Sequence, residues 1–323
     1  RRRHSFPTRR SSDLNLSKFM RRLLVKRFES SVKAFEITLK KMIDTTEKIR
    51  GYYVEHWFVP VYKKWDLPEL DELESMNDYE LEDFFWPYEE KGLIRIPASE
   101  MQKGFLDALD HDIELLNDIY GQWFSDKEYS DPKLDNLLMR INDSLKNDPA
   151  RKIIIFSEFS DTADYLYEQM QKRENVRVFK YSSADSSTAN KAVIRANFDA
   201  GYDKPQNNFD VLVATDAISE WFNLHRAGTI INYDIPFNPT RVIQRIGRIN
   251  RINKKVFEEL YIYNFFPTTT GEAETKTRAI SMIKMHLIHA LLWEDTKVLT
   301  GDEELKNYFA QSYRDAESKN EVI

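Results

Sequence analysis

The run FDVLVATDAISEWFNLHRAGTIINYDIPFNPTRVIQRIGRINR (Phe209–Arg251) decides the fold. Its two apolar stretches, FDVLVAT and GTIINYD, are short and β-branched, and neither alternates polar with apolar residues. Strands with that pattern are buried on both faces, as in a parallel sheet covered by helices. Asn238 followed by Pro239 starts a helix, because Asn caps well and Pro fits the first helical position. Along that helix Val242, Ile246 and Ile249 recur at i, i+4 and i+7 and form an apolar stripe for packing on the sheet. Gln244, Arg248 and Arg251 have the same spacing on roughly the opposite side, which suits presentation to an anion.

Working outward, KIIIFS (152–157) and VRVFKYS (176–182) precede this run and LYIYNFF (260–266) follows it, with helical segments between. Alternating strand and helix predicts an α/β fold with a parallel sheet. Polar residues close the strands at Ser157, Ser182, Thr215 and Asp234, where open α/β sheets bind ligands. Before the sheet, Phe19, Leu23, Phe28, Val32, Phe35, Leu39 and Met42 recur at helical spacing between basic residues. Further helices are expected over 99–123 and 132–145, and the acidic stretch Asp66–Lys91 reads as irregular or loosely helical. The chain turns helical again from Glu272 onward.

The net charge is −6, yet Thr240–Lys255 holds six basic residues and no acid, so the local field matters more than the total. There are no cysteines, which excludes disulfides and thiolate zinc sites and suits a reducing cytoplasm. No apolar run is long enough to span a bilayer, so no membrane association is expected. His286 and His289 form an H-x-x-H pair that lacks the cysteines or carboxylates of a metal site, so no metal ligands are assigned. His225 is read as structural, and Phe84, Phe85, Trp86 and Tyr88 as packing within the acidic insertion.

The segment 209–251 resembles motifs V and VI of superfamily 2 helicases and translocases, specifically the Swi/Snf-type ATPases and their bacterial relatives. Gln244, Gly247, Arg248 and Arg251 match the family pattern Q-x-x-G-R-x-x-R, and KIIIFSEFSDTADYL (152–166) resembles motif IV. The resemblance implies a RecA-like second lobe over 146–266, flanked by a helical region with an acidic insertion (15–145) and a C-terminal helical extension (267–323). It implies that Arg248 and Arg251 are arginine fingers, and that Gln244, Gly247, Asp216 and Glu220 lie on the ATP side. Ser157, Ser182, Ser183 and Thr215 are the implied contacts to a nucleic-acid backbone. Arg21, Arg22, Lys26 and Arg27 either line the duplex or form a solvated helix face.

In that family a first lobe supplies the phosphate loop and holds Mg²⁺. None of the nine glycines here is followed by lysine, so no G-x-x-x-x-G-K-[ST] loop exists in this sequence. His4–Leu14 (HSFPTRRSSDL) resembles a translated sequencing adapter, and residues 1–14 are set aside as an artefact. The expectation is a truncated chain whose first lobe is missing and which is inactive by itself. The expected partner is double-stranded DNA, ahead of RNA, because RNA helicases usually begin motif VI with His. An RNA-polymerase-associated ATPase and a non-catalytic binding fragment are the alternatives.

Trp221 stands where the family has a glycine, and Trp293 where relatives tend to have one. A lineage that reads UGA as glycine would give both tryptophans on standard translation; genuine substitution is the other explanation.

Overall fold

The computed structural model describes residues 9–62, 93–125, 130–173, 176–218, 222–236, 238–249 and 256–282. Five parallel strands form its centre: β3 (Lys152–Phe156), β4 (Val178–Tyr181), β5 (Val211–Ala214), β6 (Ala227–Asn232) and β7 (Tyr261–Asn264), in the order β4-β5-β3-β6-β7. This is the expected RecA-like α/β sheet, with each of the five expected strands in place.

The side chains of β3 alternate between two cores. Ile154 and Phe156 face one side with Leu212, Ala214 and Ile230. They pack there against Ile194 and Phe198 of one helix, α6 (Thr188–Phe198), and Val242 and Ile246 of another, α7 (Pro239–Gly247). Ile153 and Ile155 face the opposite side with Val211, Val213 and Ile231. There they meet Leu137, Leu138 and Ile141 of α4 (Pro132–Asn147) and Leu166 and Met170 of α5 (Ser160–Gln171). Two helix layers account for the absence of polar alternation in the strands. Each such Ile or Leu contributes about 1.5–3 kcal/mol by leaving water.

The N-terminal pattern, expected as one helix, forms two: α1 (Arg9–Ser30) and α2 (Val32–His56). Ser31 breaks it. Its backbone is extended (φ −156°, ψ 151°) and its hydroxyl accepts from the Ala34 N–H, capping α2. Hydroxyl side chains that bond locally to the backbone compete with a helix interior, and the hydrophobic spacing does not register that. α3 (Phe105–Phe124) packs beside α2, with Tyr53 on Phe105 and Arg50 paired with Asp110. This region, expected as helices with an acidic insertion, also carries an antiparallel pair, β1 (Phe58–Tyr62) with β2 (Leu93–Pro97). Beyond the sheet, α8 (Thr269–Thr275) lies against α1 through Glu29, which accepts from the Thr268 N–H at 3.0 Å.

Candidate functional site

The site is built where the strands end. β5 runs through Thr215 into a 3-10 turn, Asp216–Ile218, and β6 runs through Tyr233 and Asp234 into α7. The Asn238 carboxamide accepts from the Thr240 N–H at 3.1 Å and caps α7, with Pro239 at the first position as expected. Val242, Ile246 and Ile249 are buried in the sheet core, so the predicted stripe is correct.

Arg245 and Arg248 of motif VI do not act alike. Arg245 is fully buried. Its Nε donates to Asp216 Oδ1 at 2.7 Å, its Nη1 donates to Asn232 Oδ1 at 2.8 Å, and the guanidinium lies 4.8 Å from the centre of the Phe156 ring. Asp216 also accepts from Arg241 Nη1 at 3.4 Å. Asp216 therefore ties the turn after β5 to α7, with its carboxylate held by arginine. Gln244 and Gly247 are exposed and Arg248 is half-buried. Spaced i, i+3 and i+4, they share one face. A Cβ on Gly247 would meet nothing within 4 Å, so the surface between Gln244 and Arg248 is open. The carbonyl of Arg248 accepts from the Leu224 N–H at 3.0 Å, which fixes the end of α7 to the segment after motif V. Glu220, Arg251, Trp221, Trp293, His286, His289 and the aromatics Phe84–Tyr88 lie outside the described residues.

The four hydroxyl residues divide. Ser157 is fully buried; its Oγ donates to Asp234 Oδ2 at 2.7 Å and lies 3.1 Å from the Phe159 carbonyl. Ser182 is buried, with its Oγ 2.7 Å and its N–H 2.9 Å from Asp185 Oδ2. Burial pushes the Asp185 carboxyl up, but these bonds and Lys180 outweigh it and hold the pKa below the usual value. Neither hydroxyl can turn to a phosphate without giving up its internal bond. Thr215 is 9% exposed at the strand end, and only Ser183 of the four faces solvent fully.

On the basic face of α1 the structure corrects both readings for Lys26 and Arg27. Lys26 pairs with Glu158 and Arg27 with Asp161, both largely out of water, so these two cations fasten α1 to the sheet domain, while Arg21 pairs with Glu274 of α8 and stays exposed. His225 is buried with Nδ1 3.7 Å from Asp199, in keeping with a structural role. Sequence reasoning gave Arg245 no role, since its spacing is that of a helix face like any other. A pointer was available: it lies three residues after Val242 and one before Ile246, on the flank of the buried stripe.

Residues 133–253 match the family described as "Helicase conserved C-terminal domain". This part of the chain belongs to that family. The chain is 30% identical over 190 residues to the uncharacterized ATP-dependent helicase YqhH of Bacillus subtilis, covering 54% of this chain and 32% of that protein. RNA polymerase-associated protein RapA of Vibrio cholerae is 26% identical over 152 residues, 47% of this chain and 15% of RapA. The ISWI chromatin-remodeling complex ATPase ISW2 of Saccharomyces cerevisiae is 29% identical over 153 residues, 47% of this chain and 12% of its own. These relatives support a helicase C-terminal lobe of Swi/Snf type over residues 133–253. The chain spans a third or less of each relative's length. Among the described residues no helix is long and apolar enough to cross a membrane, and no three of His, Asp and Glu gather as metal ligands.

Proposed function

We propose that the helicase domain is the second motor lobe of an ATP-dependent double-stranded DNA translocase in the cytoplasm, and that Arg248 and Arg251 are its arginine fingers. The observation that carries this is the open face of Gln244, Gly247 and Arg248 on a helix pinned by the buried Arg245–Asp216 pair. A guanidinium presented from a rigid helix is suited to meet charge developing on a transferred phosphoryl group. Such a finger accelerates hydrolysis by about 10³–10⁵. ATP and Mg²⁺ supply the leaving group and the charge neutralisation; the phosphate loop and metal ligands come from a first lobe. In this reading Gln244 and Gly247 border the nucleotide and Glu220 joins the ATP side. Asp216 holds the arginine helix in register. Ser183 and Thr215 touch the nucleic-acid backbone, while Ser157 and Ser182 shape the loops beneath them. By itself the chain does not hydrolyse ATP.

The test joins this chain to a lobe that carries a phosphate loop. Hydrolysis is expected to be stimulated by duplex DNA and lost in Arg248→Ala and in Arg251→Ala. Stimulation by RNA alone, or full activity in both variants, overturns the assignment. The RapA likeness favours a second reading, a lobe whose partner is RNA polymerase. It predicts stimulation by the polymerase and indifference to bare duplex.

A further inference from the structure

In this sheet β3 lies between β5 and β6; the chain leaves β3 for β4 and β5 on one side of it and then crosses to β6 and β7 on the other. Ligands of open α/β sheets enter the crevice that such a switch in direction leaves at the carboxyl ends of the strands. Here the Ser30–Ser31 elbow between α1 and α2 is seated at that end of the sheet, on Asp234 and Thr162. Ser30 Oγ donates to Asp234 Oδ2 at 2.9 Å and lies 2.7 Å from Thr162 Oγ1; Ser31 Oγ lies 2.9 Å from the same Thr162. Lys133 Nζ donates to the last carbonyls of α1, Glu29 at 2.7 Å and Ser30 at 3.0 Å, and reaches Asp234 Oδ1 at 3.2 Å. A cation at a helix carboxyl end satisfies carbonyls that have no partner within the helix.

Asp234 is thus the meeting point, only 8% exposed, with donors from α1, α4 and the end of β3. Its other connections lead to the arginine helix. The Asp234 carbonyl is 3.4 Å from Arg245 Nη1, and that same nitrogen holds Asn232, two residues back on β6. From Asp234 only three residues intervene before the α7 cap at Asn238. Four links span at most about 14 Å fully extended, so the tether is short. Part of it is pinned as well: Ile235 is buried and the Pro236 carbonyl accepts from Ser281 Oγ at 3.0 Å.

We infer that Asp234 is a positioning residue, through which the seating of the Ser30–Ser31 elbow sets the pose of α7 and of Arg248. The importance of that pose for hydrolysis rests on the motor-lobe reading; the mechanical link does not. Displacing the elbow removes donors from Asp234, shifts the β6–α7 segment and loosens the arginine helix. The helical region and the arginine helix then move as one.

Hydrogen exchange on the 323-residue chain tests the link. Lys133→Met and Ser30→Ala are each expected to speed exchange of the Val242–Gly247 amides about tenfold. The amides of β4 and β5 should change less than twofold, and Lys133→Arg should restore the α7 rates. Lys180→Met, which cuts the ion pairs to Asp164 and Asp185 at the far edge of the sheet, should leave α7 unaffected. The inference is overturned if α7 keeps its rates while the elbow opens, or if every element speeds up alike. In the joined motor Lys133→Met should lower kcat with KM for ATP changed less than twofold. Undiminished hydrolysis in both arginine variants, Arg248→Ala and Arg251→Ala, would sink the motor reading and leave the exchange result standing.

Discussion

Two arginines three residues apart in motif VI should fail in different ways when removed. Arg245 is fully buried and donates to Asp216 at 2.7 Å and to Asn232 at 2.8 Å. Deleting one member of a buried ion pair costs about 3–5 kcal/mol, because the other charge is left uncompensated. Two features place Arg245→Ala near the lower end of that range. Asp216 keeps Arg241 at 3.4 Å, and Arg245 Nη2 has no hydrogen-bond partner among the described residues to lose. Contact with the Phe156 ring adds to the loss. The expected cost is about 3 kcal/mol; at a urea m value of about 3 kcal/mol/M the unfolding midpoint falls by about 1 M. Arg248 is half-buried, and its substitution by Ala should shift stability by no more than about 0.5 kcal/mol, under about 0.2 M. Circular dichroism through a urea titration reads both. Equal shifts, or an unchanged midpoint for Arg245→Ala, would refute the division into a holding arginine and a presented one.

Lys152 offers a pH test. Burial pushes its pKa down to about 8, with Arg226 adding to the effect and Asp210 opposing it. An unfolded lysine keeps its proton to about pH 10.4, so between these limits the unfolded chain binds more protons and stability rises with pH. The gain should be about 1–3 kcal/mol across that window, and Lys152→Met should abolish it; superimposable pH profiles would count against the burial argument. Gly228→Ala would bring a Cβ within 2.7 Å of Arg151 Cγ and 2.8 Å of the Phe257 ring. Arg151 is clamped between Phe257 and Tyr261 and bonded to the Glu259 carbonyl, so it has little room to retreat. The expected loss is about 1–3 kcal/mol in thermal unfolding. Gly121→Ala, whose nearest contact is 3.6 Å away, should be neutral or stabilising by up to about 1 kcal/mol.

The sheet was legible because burial on both faces leaves a direct imprint. Ile153, Ile154, Ile155 and Phe156 are all inaccessible to water, and such a run admits no polar alternation. The apolar stripe of α7 and its cap were legible for the same local reason. The elbow was not. Ser30 and Ser31 read as polar positions inside a helix, and their partners Asp234 and Thr162 are more than 130 residues away. Nothing local distinguished the three arginines of motif VI either. A buried arginine needs a carboxylate brought from another strand, and Asp216 is 29 residues back along the chain. Hydroxyls at strand ends were ambiguous by nature: Ser157 and Ser183 have the same chemistry, and only the fold turns one inward to Asp234 and the other outward.

The same pairing decides which charges remain for nucleic acid. Lys26 and Glu158 are 12% and 9% exposed and 3.0 Å apart, and Arg27 and Asp161 are 2.8 Å apart, so these cations are neutralised within the fold. Phosphate binding depends on cations that release counterions from the nucleic acid, at a slope of about 0.9 per phosphate neutralised on duplex DNA. A cation already matched to a carboxylate adds little to that slope. Lys26→Ala should therefore lower the urea midpoint and leave the salt dependence of duplex binding as it was. Of the six basic residues of Thr240–Lys255, Arg241 and Arg245 are held by Asp216, and Lys254 and Lys255 are the last two of the run. Replacing both with Ala should reduce the magnitude of the slope of log K against log salt by up to about two. Binding titrations at about 50, 100 and 200 mM salt separate the two effects. If Lys26→Ala flattens the slope and the double variant does not, the cations of α1 face the duplex after all, and the charge allocation drawn from these ion pairs is wrong.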